Sequence, residues 1–203
     1  MLVDPFPNRA EIERVCAELD ARRSAAMLLP AAGTFGATAR AFDPALRLLA
    51  FGKGPELSAL ARVAEAAGIE VEARVAGAPG LALGRSPSGC VADKFTAVVL
   101  LFHDHEWEEQ ILLWALTTSA FYIGSIGGSL ARQMRRKRLS DLGAGPAEIA
   151  RIRSPIGTIP SARDPMTLAV SILAEVVDAD QERRRQRPLV YPRYGLRAGA
   201  TAA

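Results

Sequence analysis

Four groups of residues in this chain have types and spacings that could do chemistry. The first runs Phe121-Tyr-Ile-Gly-Ser-Ile-Gly-Gly128 and leads into Ser129, Arg132 and the cluster Arg135-Arg136-Lys137-Arg138. An apolar run that breaks into glycines and then opens a basic segment predicts strand, tight turn and helix. Gly124, Gly127 and Gly128 let a ligand approach the backbone, and the helix start points free N–H groups at it. Arg132 and Arg135, one and two turns into the helix, have the fork geometry to grip an anion. That chemistry is phosphate binding. The alternative is a glycine turn leading into a solvated basic helix.

The second group is Gly52-Lys53-Gly54, placed after one predicted strand and before a predicted helix, the context of a dinucleotide fingerprint. Leu57 stands where the third glycine belongs, and Pro55 removes one N–H from a phosphate cradle. At the end of the next strand Val75, with Arg74 beside it, stands where an acidic residue would hold a ribose hydroxyl. A nucleotide or pterin-type phosphate contact is expected here, with a turn kept for packing as the alternative. The third group, His103-Asp104-His105, follows the most continuously apolar run, where ligands bind in open parallel sheets. His103 and Asp104 are expected to hydrogen-bond a ligand. A metal or acid–base site with Glu106, Glu108 and Glu109 is the alternative reading. The fourth is the turn Ser154-Pro-Ile-Gly157-Thr158. Ser154 as a nucleophile needs a positioned base, and none can be named, so no catalytic residue is assigned.

These groups need a scaffold, and the hydrophobic pattern supplies one. A short amphipathic helix is expected over 9–23, then a loop through Pro30 and Gly33–Gly36. Strands are expected at Leu46–Phe51, Ile69–Val75, Thr96–Phe102 and Phe121–Ile126. Helices are expected at Glu56–Ala67, Glu106–Thr118, Ser129–Leu142, Pro146–Ile152 and Pro165–Arg185, with a loop over 76–92. Strands alternating with helices imply an α/β fold: a doubly wound, mainly parallel, Rossmann-like sheet with a short helical N-terminal extension. The expected organisation is an extension over 1–45, the Rossmann-like domain over 46–186 and an extended or disordered basic tail over 187–203. Glu175 stands alone among apolar residues on the last helix, so it either pairs with an arginine or lies on an edge.

Composition narrows the function. Apolar residues make up 49% and charged ones 23% of 203 residues, as in an ordinary globular protein. The net charge of +3 does not argue for nucleic acid, and no recognition motif accompanies the basic helix. Cys16 and Cys90 lie far apart without metal-like spacing, which fits a reducing compartment. With no apolar run of membrane-spanning length and no secretory signal pattern, a cytoplasmic location is expected.

Together the motifs resemble a known family. Thr96-Ala-Val-Val-Leu-Leu-Phe-His-Asp104, Ala120-Phe-Tyr-Ile-Gly-Ser-Ile-Gly127, Arg135…Leu139…Leu142-Gly143, Arg151-Ile-Arg-Ser-Pro-Ile-Gly157 and Ala169-Val-Ser-Ile-Leu-Ala-Glu175 are similar to the Rossmann-like domain of the xanthine dehydrogenase accessory (XdhC/CoxI-type) proteins. The resemblance covers about residues 46–180. It implies a maturation chaperone for a molybdenum hydroxylase of the xanthine or CO dehydrogenase type. Such a protein binds the molybdenum cofactor, as molybdopterin or its dinucleotide, aids its sulfuration and helps insert it. The implied partners are the apo-hydroxylase and a cysteine desulfurase, with a homodimer as the expected assembly and neither nucleic acid nor membrane as a partner. The cofactor is then expected against Gly52, Lys53, Gly54, His103, Asp104, Gly124, Gly127, Gly128, Ser129, Arg132, Arg135, Ser154 and Gly157. The chain departs from the family where Arg153 replaces a histidine, where Thr158-Ile159 replaces a Leu-Asp pair, and where residues 1–45 lack the family's N-terminal motifs. Two alternatives stay open: a small NAD(P)-binding oxidoreductase and a ligand-free docking scaffold.

Overall fold

The structure, a computed structural model, describes residues 9–29 and 38–186. The expected Pro30–Gly36 loop and the tail from Arg187 lie outside them. Chain contacts separate the first 44 residues from a unit spanning Ala45–Gln186.

In the first unit the helix α1 (Arg9–Asp20) buries only Val15 of its expected apolar face, and Cys16 is exposed. It is followed by a hairpin that the sequence pattern does not signal. The strands β1 (Ala25–Leu29) and β2 (Thr38–Phe42) pair antiparallel from Ala25↔Phe42 to Leu29↔Thr38. Ala-Ala-Met-Leu-Leu consists of good helix formers without alternation, so pairing overrides propensity here. At the open end of the hairpin Ser24 Oγ donates to Asp43 Oδ1 at 2.8 Å.

The second unit begins with β3 (Arg47–Gly52), α2 (Pro55–Ala66), β4 (Glu70–Val75) and β5 (Thr96–Leu101). It continues with α3 (His105–Thr117), β6 (Tyr122–Ser125), α4 (Ser129–Asp141), α5 (Pro146–Ile149), β7 (Ile152–Arg153) and α6 (Pro165–Arg185). The five strands form one parallel sheet in the order β4-β3-β5-β6-β7, so the doubly wound expectation holds. Alternation along the strands sends Leu48, Ala50, Ala97 and Val99 to one face, where α2 and α6 cover them. Leu49, Phe51, Val98 and Leu100 go to the other, under α3, α4 and α5. Every residue of β5 is buried, as a central strand covered on both faces requires.

The expected helix over 146–152 stops at Ile149 instead. Ile152 and Arg153 pair with Ile123 and Gly124 of β6, a strand too short to leave a periodic signature. Arg151 anchors this change of direction. Its guanidinium donates to the carbonyls of Leu116, Thr118 and Ala120 at 2.7–3.2 Å, capping the end of α3.

The chain order reverses between β3 and β5. Their following helices, α2 and α3, lie on opposite faces, which opens a crevice at the strands' carboxyl ends. Gly52 closes the inner wall of that crevice. A Cβ there would sit 2.9 Å from the Leu101 carbonyl oxygen and 3.0 Å from Leu101 Cβ. Its lack of a side chain therefore serves strand packing. Gly52→Ala is expected to destabilise the domain by about 1–3 kcal/mol through overpacking, read as a lower midpoint in urea denaturation with an unchanged slope.

Candidate functional site

Three β-to-α turns lie along the carboxyl edge of the sheet, and they differ in charge. The turn after β3 is Gly52-Lys53-Gly54. Gly54, at φ +90°, is the N-cap of α2 and Pro55 is its first residue. A carboxylate already stands over this helix start: a Cβ on Gly54 would meet the Glu56 carboxyl at 3.2 Å. The same Glu56 lies 3.4 Å from Nε2 of His103, which joins this turn to the next. Lys53 is exposed.

The turn after β5 is His103-Asp104-His105. Asp104 is the N-cap of α3 and accepts from the Glu106 amide at 3.1 Å. The two histidines go to different partners, His103 to Glu56 and His105 to Glu108 at 3.2 Å. Among the described residues no three His, Cys, Asp or Glu side chains form a metal-binding group.

The turn after β6 carries no carboxylate at its helix start. Gly127, at φ +116°, turns the chain, and Gly128 is an N-cap without a side chain. The first turn of α4 holds no acidic residue. A Cβ built on Gly128 meets nothing within 4 Å, so the space over the helix start is open. Ser129 is exposed there, and Arg132 is exposed one turn in.

Beneath this edge lies a polar cluster that the sequence reading did not foresee. Arg135 was expected to face a ligand, but its side chain is only 4% exposed. It forms a fork with Glu108, Nε to Oε2 at 3.0 Å and Nη2 to Oε1 at 3.1 Å. Arg135 Nη2 also donates to the Ile126 carbonyl, and Nη1 donates to Ser154 Oγ, both at 2.8 Å. Ser125 Oγ donates to Glu108 Oε1. Glu108 thus collects Arg135, Ser125 and His105. The cluster joins α3, the end of β6, α4 and the loop after β7. Two helical spacings signalled it: Glu108 heads the buried stripe Ile111, Leu112 and Ala115, and Arg135 precedes buried Leu139 by one turn.

The other sequence-predicted residues have packing roles. Gly124 leaves room for Tyr122 and Ile156, which a Cβ would meet at 2.6–2.9 Å. Gly157, at φ +105°, lies against Ser171 Oγ, and its amide donates to Glu175. Glu175 also accepts from Tyr122 OH at 3.0 Å and faces Arg153 at 3.6 Å. Burial, with the Glu175 charge next, pushes the Tyr122 phenol far above its ordinary range. Ser154 accepts from Arg135, and its carbonyl lies 3.5 Å from Arg132 Nη1. The features that weaken a dinucleotide reading also stand. Leu57 is core, Val75 is half exposed at the end of β4, and Arg74 is committed to Glu72 and the Gly89 carbonyl.

The model of the XdhC Rossmann domain family matches residues 48–176. The molybdenum cofactor insertion chaperone PaoD of Escherichia coli strain K12 is 36% identical over 135 residues, which is 66% of this chain and 40% of that protein. The chain thus spans well under half the length of that relative. Among solved structures, one described as a xanthine dehydrogenase from Bacillus halodurans aligns with a TM-score of 0.68 at 18% identity. That alignment covers 87% of this chain and 68% of the other, and at such identity it shows the shared fold.

Removing one partner of the Glu108–Arg135 pair leaves a buried charge uncompensated. Glu108→Ala is expected to cost about 3–5 kcal/mol, measured by urea denaturation. A double replacement by apolar residues, Glu108→Met with Arg135→Met, should recover much of that loss. Equal losses in the single and double variants would deny the pair its role.

Proposed function

The chain belongs to the XdhC Rossmann-domain family, and from that premise we propose that it binds the molybdenum cofactor and helps insert it into a molybdenum hydroxylase. One observation carries the placement of the site. Of the three helix starts on the carboxyl edge, α2 has Glu56 beside it and α3 has Asp104 and Glu106, while α4 alone is free of acid. A cofactor that ends in a phosphate finds favourable charge only at the third. Backbone N–H groups of the first turn of α4 and the Arg132 guanidinium would hold that phosphate. His103 and Asp104, at the neighbouring strand end, would hydrogen-bond the polar ring.

The donor set fits such a group: open space over Gly128, amides without a side-chain cap, and an exposed arginine whose one contact among the described residues is a long one to a backbone carbonyl. When bound, the cofactor brings the redox chemistry its client enzyme uses; this chain's residues bind, orient and release it. Exposed contacts suit release, because a chaperone must surrender its cargo. Arg135 acts from below, holding the α4 start against α3 and the Ser154 loop.

On the same family resemblance we propose an apo-hydroxylase and a cysteine desulfurase as partners, a homodimeric assembly and a cytoplasmic site of action. No helix among the described residues is long and apolar enough to cross a membrane. An NAD(P) reading has less support, because Val75 stands in place of the ribose acid.

Anaerobic titration with isolated molybdenum cofactor, followed by transfer to an apo-hydroxylase, tests the proposal. Saturable binding is expected, and Arg132→Ala should weaken it by about 1–3 kcal/mol through loss of a charge-assisted hydrogen bond. Absence of binding at micromolar concentration, or tighter binding of NADPH than of the pterin, would overturn the reading.

A further inference from the structure

A second feature of α4 lies along its flank. Between this helix and the edge strand β7 runs a cleft of about 320 Å³, at the lower end of the range for small-molecule sites, roughly 300–1,000 Å³. Four arginines line it: Arg132, Arg135 and Arg136 from α4, and Arg153 from β7. Among the described residues no acidic side chain lines it. Gathering guanidinium groups around one cavity is unfavourable unless something neutralises them.

Two of the four are already balanced. Arg135 is paired with Glu108 at 2.9 Å, and Arg153 faces Glu175 at 3.6 Å while lying over the Tyr122 ring. The other two are not. Among the described residues Arg132 reaches only the Ser154 carbonyl, at 3.5 Å. Arg136 is exposed and has no hydrogen bond or ion pair among the described residues. Two uncompensated positive charges therefore face the cleft. A phosphomonoester at neutral pH carries about −1.5 to −2, which matches them. The cleft wall adds shape to charge. Leu139 and Ile149 are buried and Ile152 is half-buried, giving an apolar surface beside the arginines. Flat rings lie well on such a surface, and guanidinium planes stack on rings.

We propose that the α4–β7 cleft binds a phosphomonoester attached to a flat ring, with Arg132 and Arg136 holding the phosphate and Leu139, Ile149 and Ile152 the ring. This goes beyond the cofactor reading. Arg132 is shared with that reading, while the exposed Arg136 and the apolar wall stand without it. The same chemistry is presented by a nucleoside 5′-monophosphate and by the phosphate end of a pterin, and the test separates the two sources.

Isothermal titration of the full chain with AMP, CMP, adenosine and inorganic phosphate, at neutral pH and low salt, reads the site directly. The monophosphates should bind at one site per chain, inorganic phosphate at least about tenfold more weakly, and adenosine more weakly still. Arg136→Ala should weaken the monophosphates by about tenfold or more, the loss of one charge-assisted hydrogen bond. Lys137→Ala, an exposed neighbour that does not line the cleft, should leave them unchanged. A pterin phosphate that displaces AMP from the Arg136-dependent site identifies the pterin as the occupant. Simultaneous binding of both places the pterin phosphate away from Arg132 and identifies the cleft as a separate nucleotide site. Either result supports the cleft. No monophosphate binding, equal binding of inorganic phosphate, or equal losses in Arg136→Ala and Lys137→Ala would overturn it. Because these titrations contain no molybdenum cofactor, their failure leaves the cofactor titration to stand or fall separately.

Discussion

The buried fork between Glu108 and Arg135 is the constraint on which the rest of the edge depends. A carboxylate at 1% exposure and an arginine at 6% are tolerable only because each meets the other with additional hydrogen bonds. Those bonds reach Ser125, His105, the Ile126 carbonyl and Ser154, so one charge pair fixes four pieces of chain. The start of α4 cannot shift without breaking it. This is why Arg135, on the basic helix, serves as a positioning residue, while Arg132 and Arg136, on the same helix, are left to face solvent and the cleft.

Charge then separates the edge into regions. Carboxylates stand at the starts of α2 and α3 and favour cationic or hydrogen-bond-donating groups. Among the described residues, the start of α4 and the cleft beside β7 hold no acidic side chain and favour anions. A ligand with a polar ring at one end and a phosphate at the other has complementary surroundings along this edge. A second, half-buried network supports the arrangement from the opposite face of the sheet. Glu175 on α6 accepts from Tyr122 and from the Gly157 amide, and so holds the loop that presents Ser154.

Much of the fold was legible in the sequence, because strands buried on both faces write continuous apolar runs and glycines mark the turns. Thr96–Leu101 and the helix from Pro165 were readable for that reason. The β1–β2 hairpin was not, since Ala-Ala-Met-Leu-Leu favours helix when read alone. Nor was β7, whose two residues become a strand only through β6. Of the candidate site, the sequence marked the turns but not the contacts that their side chains make. Residue type marked Arg135 and Gly52 as ligand contacts, yet burial gives the first to Glu108 and close strand approach gives the second to Leu101. A polar residue on a buried helical stripe was the available clue, and it pointed inward.

The central claim is that the chain holds the molybdenum cofactor at the carboxyl edge, at the acid-free start of α4. Amide hydrogen exchange with and without the cofactor tests it most directly. The account predicts protection on binding in the 126–132 turn and at 103–105, with the N-terminal hairpin unchanged. Exchange unaltered in both turns under saturating cofactor, or protection confined to other segments, would contradict it.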